Sequence, residues 1–127
     1  MKIIFLNEDL KQKVPESNTG NVEYKRKITE ANAFTLEKRA TQMLYRCVEG
    51  CGFATYYIGV EDTGICSGIS IHDLMCSIKN IQIIAHKVKI YLLQIIIYKG
   101  ENPGKYIAQL ELRKTNNYNS EACLFSI

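Results

Sequence analysis

The sequence contains no tryptophan, only two prolines and no apolar run long enough to cross a bilayer. A membrane-spanning helix needs about 20 predominantly apolar residues, and the opening MKIIFL is too short for the hydrophobic part of a secretory signal peptide. The five cysteines are an odd number with no such signal before them. We therefore expect reduced thiols in a cytoplasmic protein that does not bind membranes.

A phosphate-binding loop is also missing. No Gly-x-x-x-x-Gly-Lys-Ser/Thr stretch occurs in the chain, and Gly59, Gly64 and Gly68 do not form a glycine-rich loop followed by a lysine. The formal net charge of +3 is too small to predict nucleic-acid binding by itself. We expect no cofactor in this chain and no unaided binding or hydrolysis of a nucleotide.

The patterns that are present predict one small domain, as expected from 127 residues. Residues 1–20 include the turn-rich VPESNTGN and predict a flexible N-terminal arm. Residues 21–114 carry the strand and helix patterns of a single domain. Residues 115–127 predict a tail.

The first half of this domain predicts a strand, a helix and two further strands. NVEYKRKIT alternates as a half-exposed edge strand does. The helix that follows has Asn32 or Thr35 as its N-cap and ends at Gly50 or Gly52. FATYYIGV predicts a central strand and ICSGIS its short partner. The tight turn between them is predicted at residues 62–64, and the turns and corners of the whole segment are predicted at Gly52, Gly59, Glu61, Asp62, Gly64 and Gly68.

The second half predicts a helix and two strands. Ser70 with Asp73 forms a capping box for a helix that ends near Lys87. KIYLLQIIIYK is apolar on both faces and predicts a central strand, and YIAQLELRK alternates as a strand does. The order β-α-β-β-α-β-β predicts an α/β (α+β) two-layer sandwich, with a mixed sheet of about five strands and two helices on one face.

Three constellations point to possible chemistry, each with a simpler structural explanation. A zinc site is a weak alternative for Cys47, Cys51, His72 and Cys76, because buried cysteine more often serves as a small hydrophobic residue. Glu23 and Asp62 could hold a divalent ion and cut a phosphodiester, or could be solvated charges. An RNA-facing patch, or ordinary solvated surface, is predicted for Tyr24, Lys25, Arg26, Lys27, Arg113 and Lys114, with Arg46 as a further member.

Several short motifs occur in a fixed order: GNVEYK at 20–25, TQM at 41–43, EGCG at 49–52, YYIGVEDTG at 56–64, SGIS at 67–70 and D-L-M-x-S-I at 73–78. Together they resemble the N-terminal domain of the GTP-binding protein 1 and 2 family, translational GTPases related to elongation factor Tu. The resemblance covers about residues 14–114. It implies an accessory module in translation or RNA surveillance, with RNA or the ribosome and its own GTPase domain as partners.

In that family this domain precedes a GTPase domain, for which GTP and Mg are the cofactors. The tail SEACLFSI is similar in placement to the first strand of that domain, so the tail is expected to lead toward a missing GTPase domain. The family's GTP-contacting residues correspond to none of the residues here.

A second similarity is to the Schlafen-type AlbA-like domain, carried by VEYK and GVEDTG. It implies RNA binding or metal-dependent RNA cleavage, with Glu23 and Asp62 at two of the carboxylate positions. The third acidic position is Asn18 here, which argues against cleavage and leaves RNA binding as the alternative.

Overall fold

The computed structural model describes residues 1–115. The chain forms, in order, β1 (Lys2–Asp9), β2 (Val22–Lys25), α1 (Ala33–Glu49), β3 (Phe53–Ile58), α2 (Ile71–Lys87), β4 (Ile90–Lys99) and β5 (Tyr106–Lys114). The five strands form one sheet in the order β1-β4-β5-β3-β2. The outer pairs β1–β4 and β2–β3 are parallel, and the inner pairs are antiparallel. A mixed five-stranded sheet with two helices confirms the predicted fold class.

Local sequence determines where both helices begin and end. The Asn32 side chain accepts a hydrogen bond from the Thr35 amide at 2.9 Å, and the Ser70 hydroxyl accepts one from the Asp73 amide at 3.1 Å. Each cap satisfies an amide that has no partner within its helix. Gly50 caps the C-terminal end of α1, and α2 ends at Lys87, as predicted.

The core lies between the sheet and the two helices, which pack on one side that we call the helix face. β3 and β4 are interior strands, as predicted, and β2 is an edge strand. Along β4, Ile95 and Ile97 are buried in this core, whereas Ile96 is half-buried on the opposite side, the open face. The centre of β4 is therefore more sensitive to substitution on one face than on the other.

The N-terminal segment differs from the flexible arm predicted for residues 1–20. β1 pairs with β4 in parallel, and residues 10–20, here called the strap, cross to the turn after β3. The Lys13 amide donates to the Gly64 carbonyl at 2.9 Å, and the Glu16 amide donates to the Asp62 carbonyl at 2.8 Å. A strand whose partner lies roughly 90 residues away has no turn or cap beside it in the sequence.

The segment ICSGIS also differs from its prediction as a strand. The predicted tight turn forms, because the Gly64 amide donates to the Glu61 carbonyl at 2.8 Å and the Glu61 amide donates to the Ile65 carbonyl at 3.0 Å. Beyond the turn only an isolated bridge joins Ile69 to Tyr106 among the described residues. β3 already pairs with β2 on one side and β5 on the other, so it has no free edge for a further partner.

Neither of the two helices in residues 1–115 is long and apolar enough to cross a membrane. The predicted tail, apart from Thr115, lies outside the described residues.

Candidate functional site

The two carboxylates of the predicted metal site lie in different environments. Glu23 is fully buried on the helix face of β2, and its Oε1 accepts a hydrogen bond from Arg46 Nε at 2.8 Å. Its Oε2 lies 3.1 Å from Lys25 Nζ. Asp62 is exposed on the turn after β3. Within residues 1–115 no group of three or more His, Cys, Asp or Glu side chains is arranged to hold a metal ion, and the two-carboxylate hypothesis for Glu23 and Asp62 stays a prediction.

Arg46 anchors the end of the strap. Its guanidinium donates to the carbonyl oxygens of Ser17 at 2.9 Å and of Thr19 and Gly20 at 3.0 Å each, in addition to Glu23. Arg46 is only 2% exposed. A buried arginine with this many acceptors is a structural residue, and the prediction that it faces RNA is wrong.

Tyr24 is covered by the strap on the open face. It is 4% exposed, its hydroxyl donates to the Val14 carbonyl at 2.9 Å, and its ring meets Tyr57 edge-on at 5.9 Å. The Tyr24 amide donates to the Glu16 carboxylate. Burial raises the pKa of Tyr24 and also that of Glu16. Tyr24 is therefore not available for base stacking, which corrects that part of the predicted patch.

The remaining basic residues of the predicted patch are separated from one another. Arg26 is exposed, and Lys27 Nζ lies 3.7 Å from an Asp73 carboxylate oxygen at the start of α2. Arg113 lies 4.5 Å above the Phe53 ring, and Lys114 Nζ donates to the Val88 carbonyl at 2.7 Å.

The sheet register shows how far apart these groups are. Arg113 pairs with the first residue of β3, whereas Lys25 pairs with its last residue. The two ends of this six-residue strand are about 16 Å apart. Lys25 and Arg113 therefore lie at opposite ends of β3, and the RNA-facing patch stays a prediction.

The cysteine and histidine residues do not form the alternative zinc site. Cys47 is completely buried in the core, and burial raises the pKa of its thiol to about 11. Cys51 is exposed and Cys76 is half-buried. The side chain of His72 is 91% exposed, with Nδ1 3.8 Å from Asp73. Cys47 thus serves as a core residue.

A cleft of about 660 Å³ lies beside α1, where the end of β2 approaches the helix. We call it the basic cleft. Its lining consists of three cationic, two aromatic and three neutral polar residues: Lys25, Lys38, Arg39, Phe34, Tyr45, Thr35, Thr41 and Gln42. It has no carboxylate in its lining, so its electrostatic potential favours anions.

Two features of the basic cleft give it binding capacity. The Nε atom of Arg39 is buried and has no hydrogen-bond partner among residues 1–115. Phe34 is 80% exposed and Tyr45 is 41% exposed, while the Tyr45 hydroxyl lies 3.0 Å from a Glu49 carboxylate oxygen. The cleft thus combines cations, an unsatisfied donor and accessible aromatic rings.

Sequence reasoning found only Lys25 of this cleft. The signal for the rest is a stripe on α1, because Phe34, Lys38, Gln42 and Tyr45 recur at spacings of four, four and three residues. These spacings place all four side chains on one side of the helix, apart from the apolar stripe that includes Leu36.

Fold and site together define a small two-layer α+β domain with a basic cleft. Over 74 residues, 58% of this chain, it is 40% identical to GTP-binding protein 2 of Mus musculus and of Homo sapiens. The matched stretch is 12% of those proteins. It is also 41% identical, over 56 residues, to an uncharacterized protein of Acanthamoeba polyphaga mimivirus, a match covering 43% of this chain and 30% of that protein.

These matches confirm the predicted resemblance to GTP-binding protein 2 and limit it to a part of that protein. No family model matches the chain, and no solved structure matches it. The second similarity, to Schlafen-type AlbA-like domains, stays a prediction.

Proposed function

We propose that this chain is an accessory module related to one part of GTP-binding protein 2, and that it acts beside a nucleotide-binding domain without binding GTP itself. The observation that carries the proposal is the size of the match. The 74 residues that are 40% identical correspond to 12% of GTP-binding protein 2, the length of one small domain.

The two helix N-termini support the absence of a nucleotide site. Phosphate-binding loops use free amides at a helix N-terminus after a glycine-rich turn. In this domain Asn32 and Ser70 already accept amide hydrogen bonds at the starts of α1 and α2. Asp73 adds a negative charge in the first turn of α2, which disfavours phosphate there.

The cellular setting follows from the resemblance. An accessory module of a translational GTPase works in the cytoplasm, in translation or RNA surveillance, next to its own GTPase domain and in contact with RNA or the ribosome. GTP and Mg would serve the GTPase domain and not this module. The cationic lining of the basic cleft supports contact with a polyanion.

Calorimetric titration of the purified chain with GTP and Mg²⁺ tests the first part of the proposal. We expect no binding heat from this chain, and full-length human GTP-binding protein 2 is the positive control. Micromolar affinity of the isolated chain for GTP would show that nucleotide binding resides here after all.

A chimera tests the accessory role. The stretch of human GTP-binding protein 2 that matches this chain is deleted in one variant and replaced by the matching 74 residues in another. We expect the deletion to impair the protein in cells and the replacement to restore it at equal expression. A replacement that performs no better than the deletion would contradict the proposal.

A further inference from the structure

We infer that the basic cleft binds single-stranded RNA, with Lys25, Lys38 and Arg39 contacting phosphates and with Phe34 and Tyr45 stacking on bases. The inference deepens the proposed function by assigning the RNA contact to a site, and it rests on that function for the expectation that RNA is the partner.

The positive charge of the cleft is not cancelled by the buried Glu23 carboxylate. The buried Glu23 carboxylate, which contacts the lining residue Lys25, is already neutralised by Arg46 through a 2.8 Å ion pair. Lys25 is 3.1 Å from the other oxygen of Glu23 and its side chain remains 26% exposed toward the cleft. Lys38 is exposed and forms no ion pair with an acidic side chain of residues 1–115, so a net positive field remains.

Arg39 has a buried hydrogen-bond donor without a partner in residues 1–115. Its buried Nε has no acceptor among the described residues, and an unsatisfied buried donor is unfavourable. The planar guanidinium fits two oxygens of a phosphate at once. Because Arg39 lines the cleft, its guanidinium is placed to pair with a phosphate there.

The aromatic residues distinguish a nucleic-acid strand from a simple anion. Phe34 and Tyr45 lie three turns apart on α1, about 16 Å along its axis. Sites for single-stranded nucleic acids combine a cationic groove with aromatic rings on which bases stack. Between the two rings, Thr35, Thr41 and Gln42 offer hydroxyl and amide groups that suit the ribose 2′-hydroxyl.

The test measures binding of a fluorescein-labelled oligouridine, about ten nucleotides long, to the intact chain by fluorescence anisotropy over a range of salt concentrations. We expect a slope of log affinity against log salt near −2, about −0.7 for each of the three phosphates neutralised. The same sequence as DNA is expected to bind more weakly.

Three variants separate the contributions. Lys38→Ala should weaken binding and flatten the salt slope by about 0.7. Phe34→Ala should weaken binding by at least about 5-fold while leaving the salt slope unchanged, because stacking releases no counterions. Arg39→Lys keeps the charge but loses the planar fork, so it should also weaken binding with an unchanged slope.

Lys79→Ala is the matched control, since Lys79 is exposed on α2 and its removal changes the net charge as Lys38→Ala does. Lys25 stays intact because its loss would also disturb Glu23. Circular dichroism melts confirm that each variant is folded. If Lys79→Ala and Lys38→Ala lose the same amount of RNA affinity, binding depends only on the net charge of the protein, and the proposed site is wrong.

Two other outcomes would also overturn the inference. Wild-type protein that does not bind the oligonucleotide at low salt has no such site. Binding of polyglutamate as tight as RNA, together with an unchanged affinity in Phe34→Ala, would indicate an acidic protein as the occupant. Each of these results leaves the GTP titration and the chimera unaffected, so failure here is distinguishable from failure of the accessory role.

Discussion

Arg46→Met tests whether one buried ion pair holds the strap on the domain. The substitution keeps most of the side-chain volume but leaves the fully buried Glu23 carboxylate without its partner at 2.8 Å. It also removes the donor to three strap carbonyl oxygens. Breaking a buried pair by removing one member costs about 3–5 kcal/mol, a large part of the roughly 5–15 kcal/mol that stabilises a domain.

For a domain of this size each kcal/mol lowers Tm by about 4 °C, so we expect Arg46→Met to melt roughly 12–20 °C below wild type. Circular dichroism melts measure this shift. The strap contains Lys11 and Lys13, and limited trypsin digestion should cut there sooner in the variant than in wild type.

The double variant Glu23→Gln, Arg46→Met is the control. Removing the carboxylate as well relieves the uncompensated charge, so the double variant should melt above Arg46→Met, and the thermodynamic cycle gives the coupling between the two residues. An Arg46→Met protein that melts within a degree or two of wild type, with its strap still resistant to trypsin, would refute this account.

Three further predictions concern the core and the strap. Gly64→Ala should destabilise the domain more than Gly104→Ala in urea titrations, because both glycines have positive φ but only a Cβ at Gly64 would overlap the strap backbone; equal losses would argue against close strap packing. Ile95→Asp should abolish the folded circular dichroism spectrum, whereas Ile96→Asp on the open face should retain it; identical behaviour would contradict the assigned faces. The folded-state pKa of Cys47, about 11, exceeds its unfolded value near 8.5, so the stability from the protonated thiol is complete below about pH 8.5 and is lost as pH rises toward 11. Cys47 should accordingly resist iodoacetamide at pH 8 in peptide mass maps, and rapid labelling of folded protein would disprove its burial.

Features encoded by neighbouring residues were predictable from the sequence. The caps at Asn32 and Ser70 and the glycine turn at Gly64 each depend on contacts within about four residues. The apolar run of β4 also predicted its interior position in the sheet, although only its helix face is buried in the core. The fold class follows from these local signals and their order.

Features that depend on distant partners were not predictable in the same way. The alternation around Glu23 matches a solvent-facing charge, and only its ion pair with Arg46, in the next element, makes burial possible. The alternation around Tyr24 predicts a half-exposed strand, whereas its side chain lies beneath the strap. The basic cleft is lined by Lys25 of β2 and by side chains of α1, and no pattern of neighbouring residues predicts that these two elements approach each other there.

The parallel pairing of β1 with β4 has a consequence for biosynthesis. Lys2 pairs with Gln94 and Phe5 with Ile97, so the ribosome makes β1 roughly 90 residues before its partner exists. At about 5–20 residues per second, β1 waits for roughly 5–18 s with its backbone amides and carbonyls unpaired. Ile3 and Phe5 remain 56% and 69% exposed even in the finished domain, so the unpaired strand also exposes apolar side chains. β1 therefore stays without its sheet partner until β4 has been made.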